Sequence, residues 1–156
     1  MPKRRSRSAF IVLLLALGWA FASAAADPGN LAPRAKITVS SARPEFPAAQ
    51  AIDGDRKTSW SVKLEAKAGE WLQLDWPTEQ TVAGVVLYPT GPYLGSLNIE
   101  TAAASGWQRA ARLDTADLPR MRRIAVAFAP RRTTSLRLAD LVPTAAGGPA
   151  FYEVEV

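Results

Sequence analysis

The sequence predicts an all-β fold, a sandwich or jelly roll of about eight antiparallel strands. Three observations carry that prediction. Beyond residue 27 the chain divides into short runs that alternate apolar with polar residues; turn residues, above all prolines, separate the runs; and no 3.6-residue apolar stripe persists over three helical turns.

In chain order the expected strands are Lys36–Ser41, Trp71–Trp76, Val82–Tyr88, Ser96–Thr101, Trp107–Leu113, Arg122–Phe128, Ser135–Ala139 and Phe151–Val156. Their inward faces follow from the two-residue period. Leu72, Leu74 and Trp76 share one face and leave Gln73 and Asp75 on the other. Leu97 with Ile99, Ile124 with Val126 and Phe128, Leu136 with Leu138, and Val154 with Val156 repeat the pattern. Pro44, Pro47, Pro77, Pro89, Pro92, Pro119, Pro130, Pro143 and Pro149 all lie outside these runs, where a missing N–H removes no ladder bond.

The first 26 residues read as a secretory signal peptide. Lys3, Arg4, Arg5 and Arg7 precede an apolar run of thirteen, Ala9 to Phe21, and Ala22-Ser23-Ala24 or Ala24-Ala25-Ala26 supplies a small-residue cleavage site. That run is short for a bilayer, and no second stretch of about 18 apolar residues follows, so no membrane span is expected. The expected location is secreted or periplasmic. Removing residues 1–26 takes away four of the nineteen Lys and Arg and none of the fourteen Asp and Glu, so the net charge falls from +5 to about +1. Residues 27–156 then form one domain, long enough to bury roughly two-thirds of its unfolded surface.

Cysteine and histidine are both absent. The first absence excludes disulfides, zinc thiolates and a thiol nucleophile. The second removes the commonest general base and transition-metal ligand, which argues against an enzyme.

Asp53-Gly54-Asp55 with Thr58 places two carboxylates and a hydroxyl around a glycine turn. A hard cation such as Ca²⁺ takes six to eight oxygens of this mixed kind. The same residues also suit a turn whose aspartates bond local amides. Glu153 and Glu155 point to one side of the last strand, and Glu153 reaches the turn if the two ends of the domain meet; otherwise both are solvated edge charges.

Several stretches together resemble the coagulation-factor type C, or discoidin, domain family. They are Asn30-Leu31-Ala32, Ile37-Thr38-Val39-Ser40-Ser41, Ala51-Ile52-Asp53-Gly54-Asp55 with Thr58 and Trp60, Glu70-Trp71-Leu72-Gln73-Leu74-Asp75, Ser105-Gly106-Trp107, Phe128-Ala129-Pro130 before Leu136-Arg137-Leu138, and Tyr152-Glu153-Val154-Glu155-Val156. The resemblance runs from about Asn30 to Val156 and implies a galactose-binding-like jelly roll. By position it implies a structural Ca²⁺ held by Asp53, Asp55, Thr58 and Glu153, with backbone carbonyls near Gln50 and Tyr152. Many bacterial members are carbohydrate-binding modules, so the implied function is a non-catalytic module for glycan or cell-surface polymer. Sugar-binding members often carry an arginine just after the strand matching Val82–Tyr88 and a histidine nearby; this chain has Thr90 and no histidine, so galactose specificity is not implied.

The loop Pro89-Thr90-Gly91-Pro92-Tyr93-Leu94-Gly95 presents an aromatic ring between two strands, where sandwich folds commonly bind ligands. Tyr93, Phe46, Thr90 and Lys63 are the expected ligand contacts, with Glu65 and Lys67 near the same end. Trp60, Trp71, Trp76 and Trp107 are expected to pack structurally rather than to serve as sugar platforms. Arg109, Arg112, Arg120, Arg122, Arg123, Arg131, Arg132 and Arg137 crowd one stretch, opposed there by Asp114 and Asp117. They form either a solvated strand face or a patch for an anionic polymer or a protein partner, and without interleaved aromatics a nucleic-acid partner is not expected.

Overall fold

The computed structural model describes residues 29–65, 67–115, 122–144 and 147–156. The expected signal peptide, Asp117, Pro119 and Arg120 lie outside them. Seven strands form among the described residues: β1 (Lys36–Val39), β2 (Trp60–Ser61), β3 (Glu70–Pro89), β4 (Leu94–Ala103), β5 (Gly106–Asp114), β6 (Ile124–Pro143) and β7 (Ala150–Glu155). Short 3-10 turns at Ala32–Arg34 and Ala48–Ala51 complete the regular structure.

All strand pairs are antiparallel. β3 and β6 run through both layers of the sandwich. The first part of β3 lies between β1 and the second part of β6, which continues to β4 and β5; the later part of β3 lies between the first part of β6 and β7, which continues to β2.

This arrangement corrects the expected strand count. Trp71–Trp76 and Val82–Tyr88 are parts of one 20-residue strand, as are Arg122–Phe128 (from Ile124) and Ser135–Ala139. Pro77 and Pro130 do not separate strands; they sit inside them, where the β3–β6 register shifts between Asp75 and Gln80 and between Val82 and Gly84. A missing N–H is tolerated at such an irregularity, so the chain bends from one layer to the other without leaving the sheet. β2 escaped the sequence reading because two residues cannot display a period.

The inward faces are the expected ones. Leu72, Leu74, Trp76, Leu97, Ile99, Ile124, Leu136, Leu138 and Val154 are buried in one core, with Val126, Phe128 and Val156 partly buried against it. Trp60 is fully buried and stacks on Phe151, ring centroids 6.0 Å apart, while its indole N–H donates to the Ser41 carbonyl at 3.1 Å. Trp76 donates to the Leu31 carbonyl at 2.9 Å. Trp107 departs from expectation: it lies outside the core cluster, half-buried, with the Arg137 guanidinium 4.3 Å from its ring centre. The Ala102–Trp107 pairing puts it on the outer side of the sheet, beside Arg137 and its partner Glu100.

The two ends of the domain are joined. Leu31 N–H donates to the Val156 carbonyl at 2.8 Å, and the Asn30 side-chain oxygen accepts from the Val156 and Ala32 amides, both at 3.0 Å. That closure sets the last strand against the early turn.

Candidate functional site

Two sites grow from β7, facing different ways. The first is the turn from Asp53 to Thr58. Gly54 has φ 76°, a left-handed conformation that side chains disfavour, and this reverses the chain. Asp53 Oδ1 then accepts from the Asp55 amide at 2.9 Å, Asp55 Oδ1 from the Lys57 amide at 2.9 Å, and the Thr58 hydroxyl donates to Asp53 Oδ2 at 2.8 Å.

Glu153 meets this turn across 99 residues of sequence: its Oε2 accepts the Gly54 amide at 3.1 Å. The residue is only 2% exposed, and its Oε1 is buried without a hydrogen-bond partner among the described residues. Burial pushes the carboxyl up from 4.5 to about 7, and the nearby Asp53 and Glu155 carboxylates push the same way; the Gly54 amide and Arg56 oppose them. A buried oxygen lacking a partner fits a group that receives a cation or keeps a proton.

Of the four expected metal ligands, Asp53 and Thr58 bond to each other and Glu153 reaches the turn through Gly54, whereas the Asp55 carboxylate serves the Lys57 amide. Among the described residues no three acidic side chains close into a cage by themselves. The oxygen chemistry suits Ca²⁺, and backbone carbonyls would have to complete the shell.

Arg56 was missed in the sequence. Its guanidinium lies 3.8 Å from the Tyr88 ring centre and pairs with Glu155 at 3.0 Å, so the turn is clamped over the buried Tyr88. Tyr88 in turn donates to Glu155 and accepts from Arg123, both at 3.3 Å. No local pattern marks an arginine for such a contact.

The second site is an open cleft of about 450 Å³ at one end of the sandwich. All four expected ligand contacts, Phe46, Lys63, Thr90 and Tyr93, line it. Arg43 and Phe46 come from a narrow loop that β2 holds: Arg43 N–H donates to the Ser61 carbonyl at 3.1 Å, and Ser61 N–H donates to the Phe46 carbonyl. Thr90 is tied to β7 through its amide and the Ala150 carbonyl, 3.1 Å apart.

Tyr93 lies against two glycines. A Cβ on Gly91 would come within 2.6 Å of its ring and would push the ring aside, and one on Gly147, at 3.2 Å, would crowd it. The Thr144 hydroxyl donates to the Pro92 carbonyl at 2.8 Å and its amide to the Tyr93 carbonyl at 3.0 Å, which ties the loop to the strand end.

Arg43, Leu64 and Tyr152 are among the lining residues that the sequence reading missed. Leu64 is 76% exposed and Tyr152 37%, and they are the large exposed hydrophobics among the described residues. Tyr152 owes its direction to a register shift: Tyr88 pairs with Glu153 and Pro89 with Phe151, which leaves Tyr152 as the extra residue of a bulge. A leucine in a run of charged residues was the available signal for Leu64. Among the described residues that line the cleft there is no Asp or Glu.

The arginine-rich stretch does not form one free patch. Arg137 pairs with Glu100 at 2.6 Å, Arg132 with Glu79 at 2.5 Å, Arg112 donates to the Ser96 hydroxyl at 3.3 Å and Arg131 to the Arg109 carbonyl at 3.2 Å. These side chains lace neighbouring strands together.

Comparison with known proteins identifies the class. The F5/8 type C domain profile matches residues 36–139, two-thirds of the chain, and the protein belongs to that family. Its architecture is the galactose-binding-like jelly roll of carbohydrate-binding modules.

Among solved structures, a selenomethionine-labelled variant of chitosan-binding module 1 from the chitosanase/glucanase of Paenibacillus sp. IK-5 superposes with a TM-score of 0.71 at 25% identity, covering 81% of this chain and 96% of that one. Chitosan-binding module 2 of the same enzyme, in complex with chitotriose, gives 0.70 at 22% identity, with 81% and 98% covered. The family 32 module of NanJ from C. perfringens, in complex with galactose, gives 0.71 at 14% identity, with 82% and 97% covered. A curated relative, the alpha-(1->3)-arabinofuranosyltransferase of Mycolicibacterium smegmatis, is 39% identical over 74 residues. That match covers 46% of this chain and 5% of the transferase, so the likeness concerns a small part of a much larger protein. Among the described residues, no helix is long and apolar enough to cross a membrane.

Proposed function

We propose that this protein is an exported, non-catalytic module that binds glycan or a cell-surface polymer through the cleft at the end of the sandwich. The observation that carries the reading is the cleft itself: four separate stretches of chain place Phe46, Leu64, Tyr93 and Tyr152 around one open depression, in a fold whose neighbours are carbohydrate-binding modules. Aromatic and aliphatic faces suit the apolar faces of pyranoses, and the hydroxyls of Ser59, Ser61, Thr90 and Tyr93 suit the sugar hydroxyls.

The Asp53 turn has a supporting role in this proposal. Asp53, Asp55, Thr58 and Glu153 would hold a structural Ca²⁺, and the orphaned Glu153 Oε1 is the observation that favours it. A bound ion would supply positive charge to a buried carboxylate and cross-link the turn to β7. Free calcium at a hundred times its dissociation constant would add about 2.7 kcal/mol of stability.

Binding to an immobilised polysaccharide panel tests the function. The protein is expected to be retained on at least one polymer, and Tyr93→Ala to elute freely while still folded. Retention on nothing, or equal retention of the variant, would refute the reading.

A further inference from the structure

The charge of the cleft narrows the ligand, provided that the cleft is the glycan site. We infer that it selects an acidic glycan, one bearing carboxylate or sulfate groups, over an amino-sugar polymer. Among the described residues, Arg43 and Lys63 line the cleft and no Asp or Glu does. The nearest charges in sequence do not reverse this balance: Glu45 pairs with Arg43 at 2.7 Å, and Glu65 and Lys67, both exposed, bring one charge of each sign.

Lys63 has no ion pair among the described residues. It is exposed and its ammonium is free to meet a ligand anion. Arg43 is engaged differently. Its guanidinium stands 4.9 Å from the centre of the Phe46 ring, so this aromatic face already holds a cation.

A glucosamine polymer brings an ammonium on every unit. In this cleft it finds no carboxylate, meets Lys63 as a like charge, and finds the Phe46 ring taken by Arg43. An acidic sugar meets the opposite field. Its anion pairs with Lys63 while its ring lies on Tyr93 and Tyr152.

The test compares each acid with its neutral parent at equal calcium: polygalacturonate against its methyl ester, sulfated galactan against galactan, and chitosan oligosaccharide alongside. At least one acid form is expected to bind about fivefold or more tightly than its parent, with an affinity that falls as salt rises, and which acid does so names the anion. Lys63→Gln should remove most of that advantage and Lys63→Arg should keep it. Tighter binding of chitosan, or equal binding of the acids and their parents, overturns the inference and leaves the cleft as a sugar site. Failure of every polymer to bind, with Tyr93→Ala no different from the parent protein, overturns the cleft reading and the inference with it.

Discussion

The Asp53 turn and the cleft share β7 yet are built by opposite rules. At the turn, nearly every polar group is spoken for: carboxylates accept amides, Thr58 bonds Asp53, and Arg56 clamps Tyr88 and Glu155. At the cleft, Leu64, Tyr152 and Lys63 face water without such partners, held from behind by backbone bonds and by the glycines under Tyr93. The contrast separates a region whose polar groups are used up in holding the fold from one that leaves side chains uncovered.

Breaking what the two regions share should have the largest effect. Trp60 stacks on Phe151 beneath β7, and Trp60→Ala should cost about 3–5 kcal/mol in urea unfolding and weaken both sites together. Loss confined to one site would show that β7 does not couple them.

Titration separates the regions next. In the unfolded chain Glu153 titrates near 4.5, and in the metal-free folded protein near 7. The folded state therefore binds the extra proton between those values. Its contribution is fully present below pH 4.5 and is lost as pH rises through 7, a decline of up to about 3 kcal/mol. Unfolding in chelator across that range should show the decline, and Glu153→Gln should flatten it. Added calcium should raise Tm more at pH 7.5 than at pH 4.5, because ligation favours the charged carboxylate. Binding at the cleft should change little over the same range if the two regions are independent.

The remaining changes are smaller and act on one side of the comparison each. Tyr93→Ala should weaken glycan binding about tenfold, roughly 1.4 kcal/mol, with Tm nearly unchanged. Gly54→Ala imposes a left-handed backbone on a residue with a Cβ and should cost about 1–2 kcal/mol of stability while affinity stays within twofold. A reversal of either pattern would merge the two regions into one.

Particular residues show how far the sequence could be read. The faces of Leu72 and Leu74, Leu97 and Ile99, and Leu136 and Leu138 were legible because alternation is a local property of a strand. The grouping of Phe46, Thr90 and Tyr93 at one end was legible from the turn prolines that bracket the two rings. Trp107 misled, since an aromatic in an alternating strand fits either face and here the Arg137–Glu100 pair claims it for the outside. The two proline-bearing strands misled as well, since a proline marks equally a gap between strands and a shift within one.

Sequence alone determined an all-β chain without thiol or imidazole chemistry, its apolar faces, and an acidic glycine turn near the start with paired glutamates near the end. Those are properties of neighbours along the chain, decided by period, turn residues and composition. Tertiary structure decided that β3 and β6 each cross between layers, that Glu153 is buried beneath Gly54, that Arg56 covers Tyr88, and that a bulge turns Tyr152 into the cleft. Each of these depends on contacts between residues tens of positions apart, where register and burial select the partner and no local spacing records the choice.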